Sequence, residues 1–321
     1  MPLVETSNYK APIHLRNGHV STIIPSLFKK ANDPGYERER LELEDGDFLD
    51  IDWLKVPDSE KAVVISHGLE GSSSRYYVIN AAKYFHQHGW NVLAWNYRSC
   101  SGTMNRNLRL YHHGVTDDLG AIINHAINNN YSNVALLGYS MGGSTTLKYL
   151  GEQNTEVNPL IKAAAVFSVP CNLWNSAEML LKRSNLIYKR RFLNKLKKKV
   201  IAKADQYPED LDISNIENLN TFHELDTRFT APLHGFKDAY DFYQTSTCDR
   251  VIENIKVPAL IVNALNDPLL GQKCYPVELA KSHDHVFLEM PKTGGHVGFP
   301  LPGNQHSWSE IRALEFINQH I

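Results

Sequence analysis

The sequence predicts an α/β fold: a mostly parallel wound sheet flanked by helices, with a helical cap inserted between strands 6 and 7, in one domain over residues 1–321. Three observations lead there. Short, near-continuous apolar runs recur along the chain with helix-length stretches between them. One polar–apolar alternation near the start reads as an antiparallel hairpin. A single segment of about ninety residues breaks the rhythm late in the chain, where one crossover helix would suffice.

After an irregular N-terminal segment, RERLELEDGDFLDIDWLKV (38–56) alternates around Asp45–Gly46, a hairpin signal. The apolar runs AVVIS (62–66), NVLAWN (91–96), NVALLG (133–138), KAAAVFS (162–168), PALIVNA (258–264) and HVFLEM (285–290) follow. Runs of that kind suit strands buried on both faces of a parallel sheet. Helices are predicted at about 75–88, 116–130, 142–151, 275–282 and 307–319, which completes a β–α alternation. The interrupting segment, about 170–247, holds KRSNLIYKRRFLNKLKKKVIAK (182–203), with ten of the 33 Lys and Arg residues and no acid. An insertion there sits over the carboxyl ends of the strands, where wound sheets bind ligands; hence the expectation of a cap.

With 321 residues and 42% hydrophobic content the chain can bury a large core. A net charge of −2 excludes a general polyanion binder, so no nucleic-acid partner is expected. The four cysteines (Cys100, Cys171, Cys248, Cys274) include no CxxC pair, which argues against a zinc ribbon and a disulfide framework and for a reducing compartment. The N-terminus shows no secretory h-region and no apolar run reaches the roughly 18 residues of a membrane span. A cytoplasmic protein is expected, and its oligomeric state is not specified.

Gly138–Tyr139–Ser140–Met141–Gly142 lies between the run NVALL and a helix start. A serine on so sharp a strand-to-helix turn is held in a strained backbone conformation that lifts Oγ clear of the sheet. The positions two before and two after it nearly touch, so only very small residues fit. A Gly-rich turn that merely contains a serine is the alternative, and the placement after an apolar strand favours the nucleophile.

A serine hydroxyl needs a base, and the base an orienting carboxylate. Asp267 falls just past PALIVNA and His296 in a Gly-rich loop just past HVFLEM. His283, Asp284 and His285 fall at the entrance of that last strand, the wrong end of the sheet. Asp267 ahead of Pro268 also fits a simple turn or cap, yet the order Ser140, Asp267, His296, all at strand carboxyl ends, points to a catalytic triad. The oxyanion hole is expected from the N–H groups of Met141, next to the nucleophile, and Leu69, in the loop His67–Gly71. His67 is expected to be structural, its ring bonded to the loop. No metal or organic cofactor is required.

These motifs, with LRNGHVSTI, HGLEGSSSRYY, NYRSCSGTMNR, YHHGVTDDL, GYSMGG, APLHGFKDAYDFY, NALNDPLL and GGHVGF spread over nearly the whole chain, resemble the α/β-hydrolase fold family and, within it, the YheT-like branch of bacterial esterases and eukaryotic lipid esterases and acyltransferases. The resemblance implies a Ser140–Asp267–His296 triad with oxyanion donors at Leu69 and Met141. It departs at Gly18, where relatives commonly carry proline. The branch also shows an H-x4-D spacing, here His112 to Asp117, linked to acyltransferase activity; Asp117 and Asp118 read first as a helix N-cap.

The expected function is a serine esterase or lipase-like carboxylic ester hydrolase acting on short- to medium-chain or lipid-like esters through an acyl-enzyme on Ser140. An acyltransferase passing the acyl group to an alcohol is the alternative, and a catalytically silent ligand-binding homologue is the alternative of another class. The form HGLEG, rather than HGGG, accompanies medium or longer acyl chains in this fold. Phe192, Leu193, Leu196 and Val200 fall on one face of a helix with lysines expected opposite. That pattern suits a cap helix closing over the site, or a weak membrane-surface contact through residues 182–203.

Overall fold

The computed structural model describes residues 3–29, 31–303 and 306–321. In chain order its elements are β1 (Leu3–Val4), α1 (Gly18–Phe28), β2 (Glu37–Glu42), β3 (Phe48–Leu54), β4 (Lys61–Ser66), α2 (Tyr76–Gln87), β5 (Asn91–Asn96), α3 (Thr116–Asn128), β6 (Asn133–Tyr139), α4 (Met141–Gln153) and β7 (Ile161–Phe167). There follow α5 (Leu173–Leu181), α6 (Leu186–Ala204), α7 (Phe222–Leu225), α8 (Ala231–Leu233), α9 (Ala239–Ser246), β8 (Ala259–Val262), α10 (Val277–Ser282), β9 (Val286–Glu289) and α11 (Trp308–Asn318).

The sheet runs β1-β9-β8-β7-β6-β4-β5-β3-β2. Among the described residues, the antiparallel pairings of the sheet's strands are β2–β3 and β3–β5. Within β4, Val63 and Ile65 enter one core, with Val78 and Phe85 of α2 and Phe316 of α11. Ala62 and Val64 enter the other, with Leu119, Ile122 and Ile123 of α3. Each central strand is therefore buried on both faces, which is why it reads as an unbroken apolar run rather than an alternation.

Two N-terminal elements add to the predicted set. β1 pairs parallel to β9 at the sheet edge through two residues, too few for a periodic signal. α1 starts under the Asn17 side chain, which accepts the N–H groups of His19 and Val20. With β1 counted, the helical insertion falls between β7 and β8. Within it, Leu193, Val200, Leu225 and Phe229 form an apolar cluster that also takes in Leu110 of the sheet side, and Phe242 and Tyr243 of α9 pack with Leu173 of α5 in another. The four cysteines are free thiols. Among the described residues, no helix is long and apolar enough to cross a membrane.

Candidate active site

β6 ends at the centre of the sheet, between β4 and β7. Its last residue hands over to Ser140 at φ 53°, ψ −119°, a left-handed backbone held by the Ser140 N–H bond to Phe167 O at 2.9 Å. A Cβ on Gly142 would lie 2.3 Å from Ser66 O, and one on Gly138 2.7 Å from Gly142 O. The turn closes only because both are glycine. Ser140 occupies the N-cap of α4 but makes no side-chain cap bond, which leaves Oγ available.

That Oγ lies 2.8 Å from His296 Nε2, and His296 Nδ1 lies 2.8 Å from Asp267 Oδ2. The carboxylate is fully buried and its other oxygen accepts the Leu269 N–H at 2.9 Å. Three side chains from the ends of β6, β8 and β9 thus form one continuous hydrogen-bonded line. His283 and His285, at the entrance of β9, pack against each other away from it.

α1 holds the histidine in place, a role the sequence did not suggest. Thr22 Oγ1 accepts the His296 N–H at 2.8 Å, and Asn266 Oδ1 accepts the Gly295 N–H at 3.0 Å. Ser168 Oγ accepts the Val297 N–H at 2.8 Å. A Cβ on Gly18 would meet Asn266 O at 1.9 Å, so glycine there lets α1 lie directly on the loop that carries Asp267. LRNGHVSTI contained that signal, as an Asn cap followed by glycine.

In the loop after β4 the donors divide. Gly68 N–H donates to Tyr77 Oη at 3.0 Å, Glu70 N–H to Tyr111 Oη at 2.9 Å and Gly71 N–H to Gly68 O at 2.9 Å. The N–H groups of Leu69 and Met141 have no partner among the described residues. His67 is bonded to the loop: Nδ1 meets Gly68 O at 2.8 Å and Nε2 accepts the Tyr97 N–H at 3.3 Å. Its burial holds it down at about 3, a neutral ring.

The H-x4-D pair does not assemble. Asp117 pairs with Arg109 on the surface, whereas His112 faces the space beside Ser140. Nor do the aspartates cap α3. Its N-cap is Val115, and Asp118 turns inward to the buried Arg98, which also holds Asp45 and Asp47. Within RSCSG, Arg98 is thus the centre of an ion-pair network that anchors the loops around the site.

The expectation of lysines opposite the apolar face of α6 holds for the exposed Lys198 and not for Lys195, Lys199 and Lys203. Lys195, Lys199 and Lys203, spaced four apart, turn toward the sheet domain. Lys203 is fully buried, donating to Asn105 O and Asn107 O, and Lys199 pairs with Glu70 at 2.7 Å. The exposed cations of the helix are Arg190, Arg191 and Lys198.

Two spaces meet at Ser140 and His296. The inner one is walled by Leu173, Leu180, Phe192, Leu196, Leu269 and Leu270. The outer groove runs between α1 and α6 past Leu27, Ile187 and Arg191.

The family described as serine aminopeptidase, S33 (Hydrolase_4), matches residues 57–275, more than half of the chain. YheT of Escherichia coli is 30% identical over 314 residues, covering 95% of this chain and 91% of that one. The chain belongs to the α/β-hydrolase family. This α/β-hydrolase is also similar to the mouse phospholipase ABHD3, at 26% identity over 92% of this chain and 74% of the relative. Monoacylglycerol lipase ABHD2 of Bos taurus is 25% identical over 98% of this chain and 80% of its own. Among solved structures, the Pyrococcus furiosus esterase Pf2001 shares the fold with a TM-score of 0.57 and 18% identity, over 91% of this chain and 97% of that one.

Proposed function

We propose that this hydrolase cleaves carboxylic esters through an acyl-enzyme on Ser140. The observation that carries the reading is the unbroken line Ser140 Oγ–His296–Asp267, with both contacts at 2.8 Å. His296 takes the hydroxyl proton as Oγ attacks the acyl carbon, and Asp267 fixes the ring tautomer and stabilises its positive charge. The N–H groups of Leu69 and Met141 receive the tetrahedral oxyanion, each worth about 3 kcal/mol of barrier. Their lack of any other partner supports that role. The ring then protonates the departing alcohol, and water activated by the same ring releases the acid. An alcohol in place of water makes the same step a transfer.

The acyl chain is assigned to the inner pocket and the alcohol to the outer groove, since the ester carbon must sit where the two spaces meet. Helices α5–α9 act as the cap that walls the inner pocket. The relatives named as phospholipase and monoacylglycerol lipase support a lipid-like ester. The test is Ser140→Ala: loss of p-nitrophenyl ester turnover and of fluorophosphonate labelling, with unchanged thermal unfolding, is expected. Turnover retained in that variant removes Ser140 from the mechanism.

A further inference from the structure

The inner pocket carries polar groups that acyl transfer does not use. His112 and His113 both line it. His112 Nδ1 accepts the Gly114 N–H at 3.1 Å, with Ser246 Oγ at 3.5 Å, so the ring proton sits on Nε2. That Nε2–H has no hydrogen-bond partner among the described residues, and the His113 ring has neither a hydrogen bond nor an ion pair there. Burial holds both neutral, His112 well below the ordinary value and His113 at about 4. They are polar groups without charge, unlike a surface pair.

The insertion contributes an acid to the same pocket. Asp226 is buried among Phe222, Leu225 and Phe229, with only the hydroxyls of Thr230 at 2.6 Å and Tyr243 at 2.7 Å on its oxygens. Among the described residues no cation stands within ion-pair distance of it. Burial pushes its carboxyl up to about 6. A wall meant only for alkyl chains has no use for these groups. Filling the space with a saturated chain leaves the imidazole N–H groups unpaired, at about 1–3 kcal/mol each. A pocket that hydrogen-bonds one substrate rejects the analogue lacking the matching group by that mechanism.

We propose that the inner pocket selects acyl chains that carry a hydroxyl group away from the ester carbonyl, with the His112 and His113 rings donating to its oxygen or accepting from it and Asp226 as a further acceptor. A hydroxyl fits because it both accepts and donates, whereas a methylene does neither. The inference rests on the ester-hydrolase reading with the acyl chain in this pocket.

The test is a panel of p-nitrophenyl esters from C4 to C12, each plain or with one hydroxyl moved along the chain, against the wild type, His113→Leu and Asp226→Asn. At the favoured position the wild type is expected to give kcat/KM about tenfold above the plain ester of equal length. His113→Leu reverses that preference, raising the plain ester severalfold while lowering the hydroxy ester, and Asp226→Asn reduces the preference. Because the wild-type ratio is measured without any variant, a misfolded substitution cannot mask the answer. Ser140-dependent turnover with plain esters equal or better at every hydroxyl position overturns the hydroxyl subsite and leaves the esterase standing. Absence of Ser140-dependent turnover across the whole panel overturns the esterase reading and the subsite together.

Discussion

Lys199 of α6 sets its Nζ 2.7 Å from Glu70 Oε1, one residue along from Leu69 in the loop beside Ser140. Glu70 is gripped from several sides. Tyr111 Oη donates to the same carboxylate oxygen at 2.7 Å and accepts the Glu70 N–H at 2.9 Å. Lys195 and Arg75 both donate to the Glu70 carbonyl, at 3.0 and 2.9 Å. The residue itself sits at φ 53°, a conformation held by its surroundings. Burial opposes charge on Lys199, yet Cys100 and Glu70 outweigh it and raise its ammonium above the ordinary value. The basic face of the insertion thus fixes Glu70, the residue next to Leu69.

Lys199→Met is expected to lower kcat on a soluble ester by about tenfold, with KM little changed, because displacing the Leu69 N–H proposed as an oxyanion donor weakens only the transition state. It should also destabilise the fold by roughly 3 kcal/mol, since Glu70 is left buried without its cation. Glu70→Gln combined with Lys199→Met separates the two effects: urea unfolding recovers while kcat stays low. Recovery of both together shows that the pair serves stability alone.

Thr22→Val tests the contribution of α1. Valine has the same shape but cannot accept the His296 N–H, so the histidine loop loses an anchor and a buried donor loses its partner. A kcat lower by about tenfold and a stability loss of roughly 1–2 kcal/mol are expected, from ester kinetics and denaturant unfolding. Wild-type kcat in this variant places the histidine under the control of Asn266 and Ser168 instead.

The contrast between α1 and the triad shows what a sequence displays. Ser140, Asp267 and His296 could be read because each follows a strand buried on both faces, and such strands are unbroken apolar runs. α1 hid because Pro25 interrupts it and Gly18 opens it, both poor helix formers. The insertion hid its inner logic for another reason. Its lysines looked like a solvated face, but Lys195, Lys199 and Lys203 find Glu70, Cys100 and Asn105, partners about a hundred residues away or more. Periodicity reports that they share a face, and only tertiary pairing tells which way that face turns. His113 and Asp226 were silent because a pocket wall assembled from distant segments has no spacing of its own.

Stability should fall on acidification below neutrality. Burial holds His67 at about 3 and His113 and His234 at about 4, and His112 also lies well below its ordinary value near 6.5. Unfolded, these rings bind protons from about pH 6.5 downward, so between pH 6.5 and 4 the unfolded chain holds more protons than the folded one. Their stabilisation is complete above that window and is lost as the pH drops through it. Asp226 acts in the opposite sense. Its folded value of about 6 exceeds the unfolded value of 3.8, so it disfavours the fold as pH rises from about 4 to 6. Urea unfolding at pH 7.5 and 4.5 is expected to show a net loss in acid. His113→Leu should flatten the dependence, whereas Asp226→Asn should raise stability at pH 7.5 and steepen the loss. A wild-type stability independent of pH over this range contradicts the burial of neutral rings.

Within residues 182–203, contact with an anionic lipid surface is expected from the mouth of the outer groove and not from Lys199, which is committed to Glu70. Of the exposed large apolar side chains, Ile24, Leu27 and Phe28 stand on α1, and Leu181, Leu186 and Ile187 at the α5–α6 corner. The two helices touch through Arg191 and Ser26 at 3.1 Å, and Leu27, Ile187 and Arg191 line the groove between them, while Lys182, Arg183 and Arg190 are exposed along the same segment. Apolar burial and attraction to anionic headgroups add at such a surface. Sedimentation with phosphatidylglycerol vesicles should exceed that with phosphatidylcholine and weaken with salt. Phe28→Ser with Leu186→Ser should reduce it by about tenfold or more, because each buried apolar side chain contributes roughly 1.5–3 kcal/mol, while turnover of a water-soluble short-chain ester persists. Lys198→Gln, on the outer face of α6, should change vesicle binding far less. Equal binding by the double serine variant and the wild type removes the groove mouth from any membrane contact.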